Sequence, residues 1–172
     1  FGSARAVAQL PELLAALQKS GGTRTSQSER FIAIKQKAQA AIQSVAPQMA
    51  YINVIRAVLP RDGFYCEEIS QLGFTSRFGF PVYQPRQYVT CGYQDNLGYG
   101  FNTALGVKVA NPDKAVVAVS GDGGFLYGVQ ELATAVQYGI NLVTIVFNNG
   151  GYGNVRRDQI ERYAGRLLGA DH

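Results

Sequence analysis

Two short polar runs carry the residue types most able to do chemistry: Ser120-Gly121-Asp122-Gly123-Gly124 and Asn148-Asn149-Gly150-Gly151-Tyr152-Gly153. Asp122 offers a carboxylate and Asn149 a neutral amide oxygen. The paired glycines Gly150 and Gly151 let the backbone bend so that a carbonyl can also point at the site. One carboxylate, one amide oxygen and one carbonyl, completed by phosphate oxygens and water, make an oxygen-only octahedral site of the kind Mg²⁺ takes. The Gly121–Gly124 turn supplies free N–H groups, and a helix starting there adds its dipole, so the same place attracts phosphate. Asp122 repels that phosphate unless a divalent cation lies between them. Asp-Gly and Asn-Gly are also common turn dipeptides. What sets this pair apart is position, because each closes a buried strand and the two lie one crossover apart. A third polar run, Glu67-Glu68-Ile69-Ser70-Gln71, follows the short stretch Phe64-Tyr65-Cys66. Its adjacent carboxylates read as solvated charges at a strand end, with a catalytic pair as the alternative.

The elements that must position these runs are legible around them. Ala115–Val119 and Asn141–Phe147 are continuous apolar runs with β-branched residues. Strands without alternation are buried on both faces, as in a parallel sheet. Residues 127–138 between them, YGVQELATAVQY, are expected to be helical, with Gly139 at the helix stop. Strand, helix and strand over this length form a βαβ unit, whose crossover is expected to be right-handed. The fold class is therefore α/β, a mainly parallel sheet flanked by helices. Ligands of such sheets bind beyond the carboxyl ends of the strands, where all three polar runs fall. Phe64-Tyr65-Cys66 is expected as a short strand, residues 67–87 as irregular, and TALGVKVA (103–110) as helix. Residues 3–18 are expected to be helical with Ser3 as N-cap, and 19–30 to be a polar linker. A second helical stretch is expected from near Ser44, with Pro47 in its first turn, to Pro60.

Composition narrows the function classes. The chain has 172 residues, 47% hydrophobic and 16% charged, with a formal net charge of +4. That suits one ordinary domain with a core and argues against a disordered or solvating tail. No apolar run reaches the roughly 18–20 residues of a membrane helix. The two cysteines, Cys66 and Cys91, make no disulfide framework, so a reducing, cytoplasmic setting is expected. Arg156, Arg157, Arg162 and Arg166 alternate with Asp158 and Glu161, the pattern of a solvated helix face rather than a nucleic-acid patch. A nicotinamide fingerprint fits poorly, with Leu126 in the place of the third glycine and Asn148 where an acidic residue should end the next strand. The chain starts at Phe1 without a signal peptide and reads as a fragment.

The pattern Gly121-Asp122-Gly123, residues 124–147, then Asn148-Asn149 is that of thiamine-diphosphate enzymes. SGDGGFLYGVQELATAVQYGINLVTIVFNNGGYGNVRRDQ resembles the diphosphate-binding domain of the acetolactate synthase and benzoylformate decarboxylase group. The likeness runs over roughly residues 40–165. It implies residues 1–18 as the end of a preceding middle domain, 19–38 as a linker, and 39–172 as the C-terminally truncated diphosphate-binding domain.

The resemblance implies Asp122, Asn149 and the Gly151 carbonyl as Mg²⁺ ligands. It implies Gly121, Gly123, Gly124 and Phe125 against the diphosphate, Tyr152 and Gly153 on the same loop, and Ile69, Ser70 and Gln71 touching the diphosphate from the first strand. In YQDNLGYGFNTALG, Leu97 matches the apolar wedge under the bent cofactor. Asp95 matches a position, usually Gly, whose carbonyl takes the pyrimidine amino group; Asp tolerates the left-handed backbone better than most residues. The implied reaction is decarboxylation or carboligation of a small 2-oxo acid in a homodimer or homotetramer. The activating Glu is expected on the pyrimidine-binding domain of a second subunit, so this chain holds no catalytic residue of its own and is expected to be inactive alone. FAD use is left open. The alternatives are a non-catalytic cofactor-binding or regulatory relative and a different nucleotide-binding α/β module. Phe74, Phe78, Phe80 and Tyr83 are expected to pack, or to line an apolar entrance.

Overall fold

The computed structural model describes residues 4–21, 25–92 and 94–171. The chain divides into two compact units, up to Lys37 and from Ala38 onward. The first contains α1 (Ala4–Lys19) and the start of α2 (Ser28–Gln43). The Ser3 cap lies outside the described residues. From Ser28 on, the stretch expected as a linker is helical instead. Glu29 in the first turn of α2 suits the positive end of its dipole. Leu10, Leu13, Leu14 and Leu17 of α1 are exposed.

The second unit is built on four parallel strands in the order β2-β1-β3-β4: β1 Phe64–Glu67, β2 Tyr88–Val89, β3 Val116–Gly121 and β4 Val143–Phe147. Its helices are α3 (Gln48–Val58), α4 (Gln71–Gly79), α5 (Tyr99–Ala110), the single turn α6 (Asp122–Phe125), α7 (Leu132–Gln137) and α8 (Gly153–Arg162). The parallel α/β class expected from the two apolar runs is the class observed.

β3 is apolar throughout because its two faces meet two cores. Val117 and Val119 join Met49, Ile52 and Ile55 of α3 with Tyr65, Leu72 and Phe80. Val116 and Ala118 join Cys66 and Ala104 of α5. The spacing 49, 52, 55 is one helical stripe, which seats α3 on the sheet.

Three expectations are corrected. Residues 67–87 are not irregular, because α4 begins at Gln71 with Ser70 as its N-cap, the Ser70 hydroxyl accepting from the Gly73 N–H at 3.0 Å. The helix expected over 127–138 is a 3₁₀ turn at Val129–Glu131 followed by α7. β4 is not buried on both faces: it edges the sheet among the described residues, with Val143 57% and Val146 38% exposed. No helix among the described residues is long and apolar enough to cross a membrane.

Candidate functional site

The register sets the tips of three strands side by side. Glu67 of β1 pairs with Val119 of β3, and Gly121 of β3 with Phe147 of β4. Beyond them opens a cavity of about 330 Å³. Of the residues singled out in the sequence, Ile69, Ser70, Gln71, Leu97, Gly121, Asp122, Gly123, Gly124, Asn149, Gly151, Tyr152 and Gly153 line it. Phe125 and Asp95 do not. The Phe125 ring packs edge-on against Phe101 at 5.2 Å, and Asp95 is held aside by Arg77.

The two polar loops lock onto each other through Asp122. Its Oδ2 accepts from the backbone N–H of Gly150 at 2.9 Å and of Gly151 at 3.2 Å. One end of the Asn149 amide lies 2.8 Å from the Gly151 carbonyl oxygen and 3.2 Å from Asp122 Oδ1. With its nitrogen there, the amide donates to both. With its oxygen there, three oxygens face one another with no proton between them, and only a cation makes that favourable. Only in that second orientation is the donor set hard and oxygen-only. No three His, Cys, Asp or Glu side chains cluster to hold a metal among the described residues.

Glycine is required in this loop by backbone conformation at one position and by space at the next. Gly150 has φ 73°, and a Cβ on Gly151 would lie 2.4 Å from the Ala170 carbonyl oxygen. The Tyr152 N–H donates to that same oxygen at 2.8 Å, pinning the loop to the chain's last described turn. Tyr152 and Tyr127 share a hydroxyl hydrogen bond, which pushes the Tyr152 phenol upward.

The tip of β1 differs from its expected solvated state. Glu67 and Glu68 are both fully buried. Glu67 Oε1 accepts from Arg77 Nε at 3.0 Å and from the Thr90 hydroxyl. Glu68 accepts from the Ser120 hydroxyl and from the N–H of Gly98, with Tyr99 and Gly100 adding their N–H groups at the start of α5. Burial pushes the Glu68 carboxyl up, against the downward pull of those donors. Neither carboxylate lines the cavity. Burial also pushes the Cys66 thiol up to about 12, that of an inert core cysteine.

Residues 68–172 match the family described as thiamine pyrophosphate enzyme, C-terminal TPP binding domain. The chain belongs to the thiamine pyrophosphate enzymes. It is 34% identical over 122 residues to the acetolactate synthase large subunit of Haemophilus influenzae, covering 71% of this chain and 21% of that protein. It is 35% identical over 116 residues to the probable 2-ketoarginine decarboxylase of Pseudomonas aeruginosa, covering 67% and 21%. Among solved structures it resembles the Rhodococcus jostii thiamine diphosphate-dependent 4-hydroxybenzoylformate decarboxylase, with a TM-score of 0.65 and 30% identity over 72% of this chain and 23% of that one. The chain thus spans about a fifth of the length of these relatives. The alternative of an unrelated nucleotide-binding module falls with the family match.

Sequence reasoning missed one wall of the cavity in this thiamine pyrophosphate domain. Pro47, Gln48 and Tyr51 at the start of α3 line it, as does Phe147, which packs against Tyr51 at 5.2 Å. A signal existed: once Met49, Ile52 and Ile55 are taken as the core stripe, Gln48 and Tyr51 share the neighbouring face at i, i+3 spacing. The Gln48 amide nitrogen donates to Gln71 Oε1 at 3.2 Å, joining that wall to the first strand's loop.

Proposed function

We propose that this chain is the part of a 2-oxo acid decarboxylase or carboligase that holds the diphosphate of thiamine diphosphate through Mg²⁺. The observation that carries the reading is the convergence of Asp122, the Asn149 amide and the Gly151 carbonyl at the mouth of a glycine-walled cavity. In this reading Asp122, Asn149 and the Gly151 carbonyl oxygen take the ion. The backbone of Gly121, Gly123 and Gly124 meets the diphosphate, which the ion keeps from being repelled by Asp122. Ser70 is held by its capping bond, so it contributes through the shape of the loop. Gln71 has its oxygen engaged by Gln48, so its amide nitrogen is the group left to donate.

Leu97, 39% exposed in the cavity wall, supports the organic part of the cofactor. Once bound, thiamine diphosphate supplies the carbanion chemistry that lets CO₂ leave a 2-oxo acid. This chain's contribution is to bind, orient and neutralise. Residues 39–172 are the diphosphate-binding domain. A pyrimidine-binding domain from a second subunit closes the site and brings the activating Glu, in a cytoplasmic homodimer or homotetramer. The residues of this chain alone do not turn over pyruvate.

The test is calorimetric titration of thiamine diphosphate into the intact protein, with and without Mg²⁺. Saturable binding that needs Mg²⁺ and is lost in Asp122→Ala is expected. Binding indifferent to both chelator and that substitution would overturn the reading.

A further inference from the structure

Asp95 has a left-handed backbone, φ 48°. An L side chain in that region crowds its own carbonyl, which is why glycine usually occupies it. On the same loop the left-handed positions Gly92 (φ 69°) and Gly98 (φ 83°) are glycine. Asp95 carries a side chain, and that side chain is gripped. Arg77 Nη1 donates to Oδ2 at 3.0 Å and Nη2 to Oδ1 at 2.5 Å, a two-pronged guanidinium–carboxylate pair. The Cys91 thiol donates to Oδ1 at 3.2 Å.

Arg77 is itself held from behind. Its Nε donates to Glu67 Oε1 at 3.0 Å, and its guanidinium lies 5.2 Å from the Phe74 ring centre. Glu67 is fully buried at the end of β1. The order β1, Arg77 of α4, Asp95 therefore fixes a loop turn against the sheet. Leu97, two residues on, faces the cavity.

We infer that Arg77 is a positioning residue: by gripping the Asp95 carboxylate it holds the 95–98 turn in a conformation that glycine would adopt unaided, and so sets Leu97, two residues on, against the organic part of the cofactor. The inference rests on the thiamine diphosphate reading above. It gives the ion pair a purpose beyond stability, since a salt bridge serving only to join α4 to the loop would not need a left-handed residue at its far end.

The test uses the intact protein as wild type, Asp95→Ala, Asp95→Gly and Arg77→Lys. Two readouts are taken: the dissociation constant for thiamine diphosphate with Mg²⁺, and backbone amide exchange over residues 94–98 without cofactor. Asp95→Ala keeps a side chain and loses the grip, so it weakens binding by about tenfold. Asp95→Gly weakens it less, because glycine takes the conformation freely. Arg77→Lys keeps the charge beside Glu67 but loses the fork, and falls between wild type and Asp95→Ala. Exchange over 94–98 is faster than wild type in both Asp95→Ala and Arg77→Lys. Equal affinity of the Ala and Gly variants, or unchanged exchange in Asp95→Ala, overturns the inference. A wild type that fails to bind the cofactor sinks the functional reading instead, and the exchange result then still decides whether the grip holds the turn.

Discussion

Glu67 and Glu68 end β1 with carboxylates enclosed on opposite faces of the sheet, while Asp122, one strand over, ends β3 at the wall of the cavity. The β1 pair is matched from within the fold: Arg77 and Thr90 on one side, Ser120 and the start of α5 on the other. Asp122 is met by the N–H groups of Gly150 and Gly151, and its second oxygen faces the Asn149 amide. The first arrangement is enclosed by protein, with Glu67 Oε1 and Glu68 held by donors of the fold and Glu67 Oε2 left without a partner among the described residues. The second sets a carboxylate beside an amide that can turn either way and a carbonyl oxygen, at the wall of an open cavity, which suits a cation brought in from outside. Substitutions at the first tip should therefore be felt in folding, and those at the second in cofactor affinity.

The largest effect that sharpens this contrast is Arg77→Met. It leaves Glu67 buried without its cation, which costs about 3–5 kcal/mol of unfolding free energy; urea denaturation of the intact protein measures it. A loss below about 1 kcal/mol would mean that water reaches Glu67, and the tip would not be closed from within. Asp122→Asn comes next, with a loss of at least about 100-fold in Mg²⁺-dependent thiamine diphosphate affinity, equivalent to about 2.7 kcal/mol. The amide retains an acceptor for Gly150 and Gly151, so unfolding free energy moves by about 1 kcal/mol or less. A variant that binds normally but unfolds easily would reverse the comparison.

The same contrast explains what could be read in advance. The second tip was legible because its requirements are local: glycines where backbone must turn, an oxygen-bearing side chain beside them, and an unalternating apolar strand before each. The first tip was not. Its partners lie 10, 23, 30 and 52 residues from Glu67 or Glu68, and two adjacent glutamates with no visible partner look like surface.

α4 was hidden for a related reason. Gly73 and Gly79 read as helix breakers, yet a Cβ on Gly73 would lie 2.0 Å from the Glu68 carbonyl oxygen, and one on Gly79 would meet Met49 Sδ at 2.4 Å. Both are demanded by close packing, which no local pattern reports. Asp95 stands between the cases, since its tolerance of a left-handed backbone was foreseeable and the Arg77 fork that exploits it was not.

Glu68→Gln probes the closed tip more gently. The amide fits the same space but turns a donor toward N–H groups that need an acceptor, so about 1–3 kcal/mol of stability is lost. Gly124→Ala attacks the same contact from the other side, because its Cβ would lie 2.2 Å from Glu68 Oε1; overpacking of about 1–3 kcal/mol is expected. Both are read by thermal unfolding without cofactor. If Gly124→Ala left stability untouched and lowered only affinity, Glu68 would belong to the cofactor site rather than to the frame beneath it.

The smallest effect is a difference in pH dependence between two carboxylates near that frame. Burial raises Glu68 above its ordinary 4.5 in the folded chain, so the folded state holds that proton to higher pH than the unfolded state. Its contribution is fully present below about 4.5 and is lost as pH rises through the folded value, with a slope of at most about 1.4 kcal/mol per pH unit. Asp95 runs the other way. Arg77 holds its carboxyl below the ordinary 3.8, so its contribution is present above that value and is lost as pH falls through the lower, folded one. Urea midpoints across pH 3 to 8 should therefore show the stability advantage of wild type over Glu68→Gln shrinking as pH rises, and that of wild type over Asp95→Asn shrinking as pH falls. Parallel curves in the first case would mean that the three N–H groups and the Ser120 hydroxyl just offset burial, leaving Glu68 to titrate as it does in the unfolded chain.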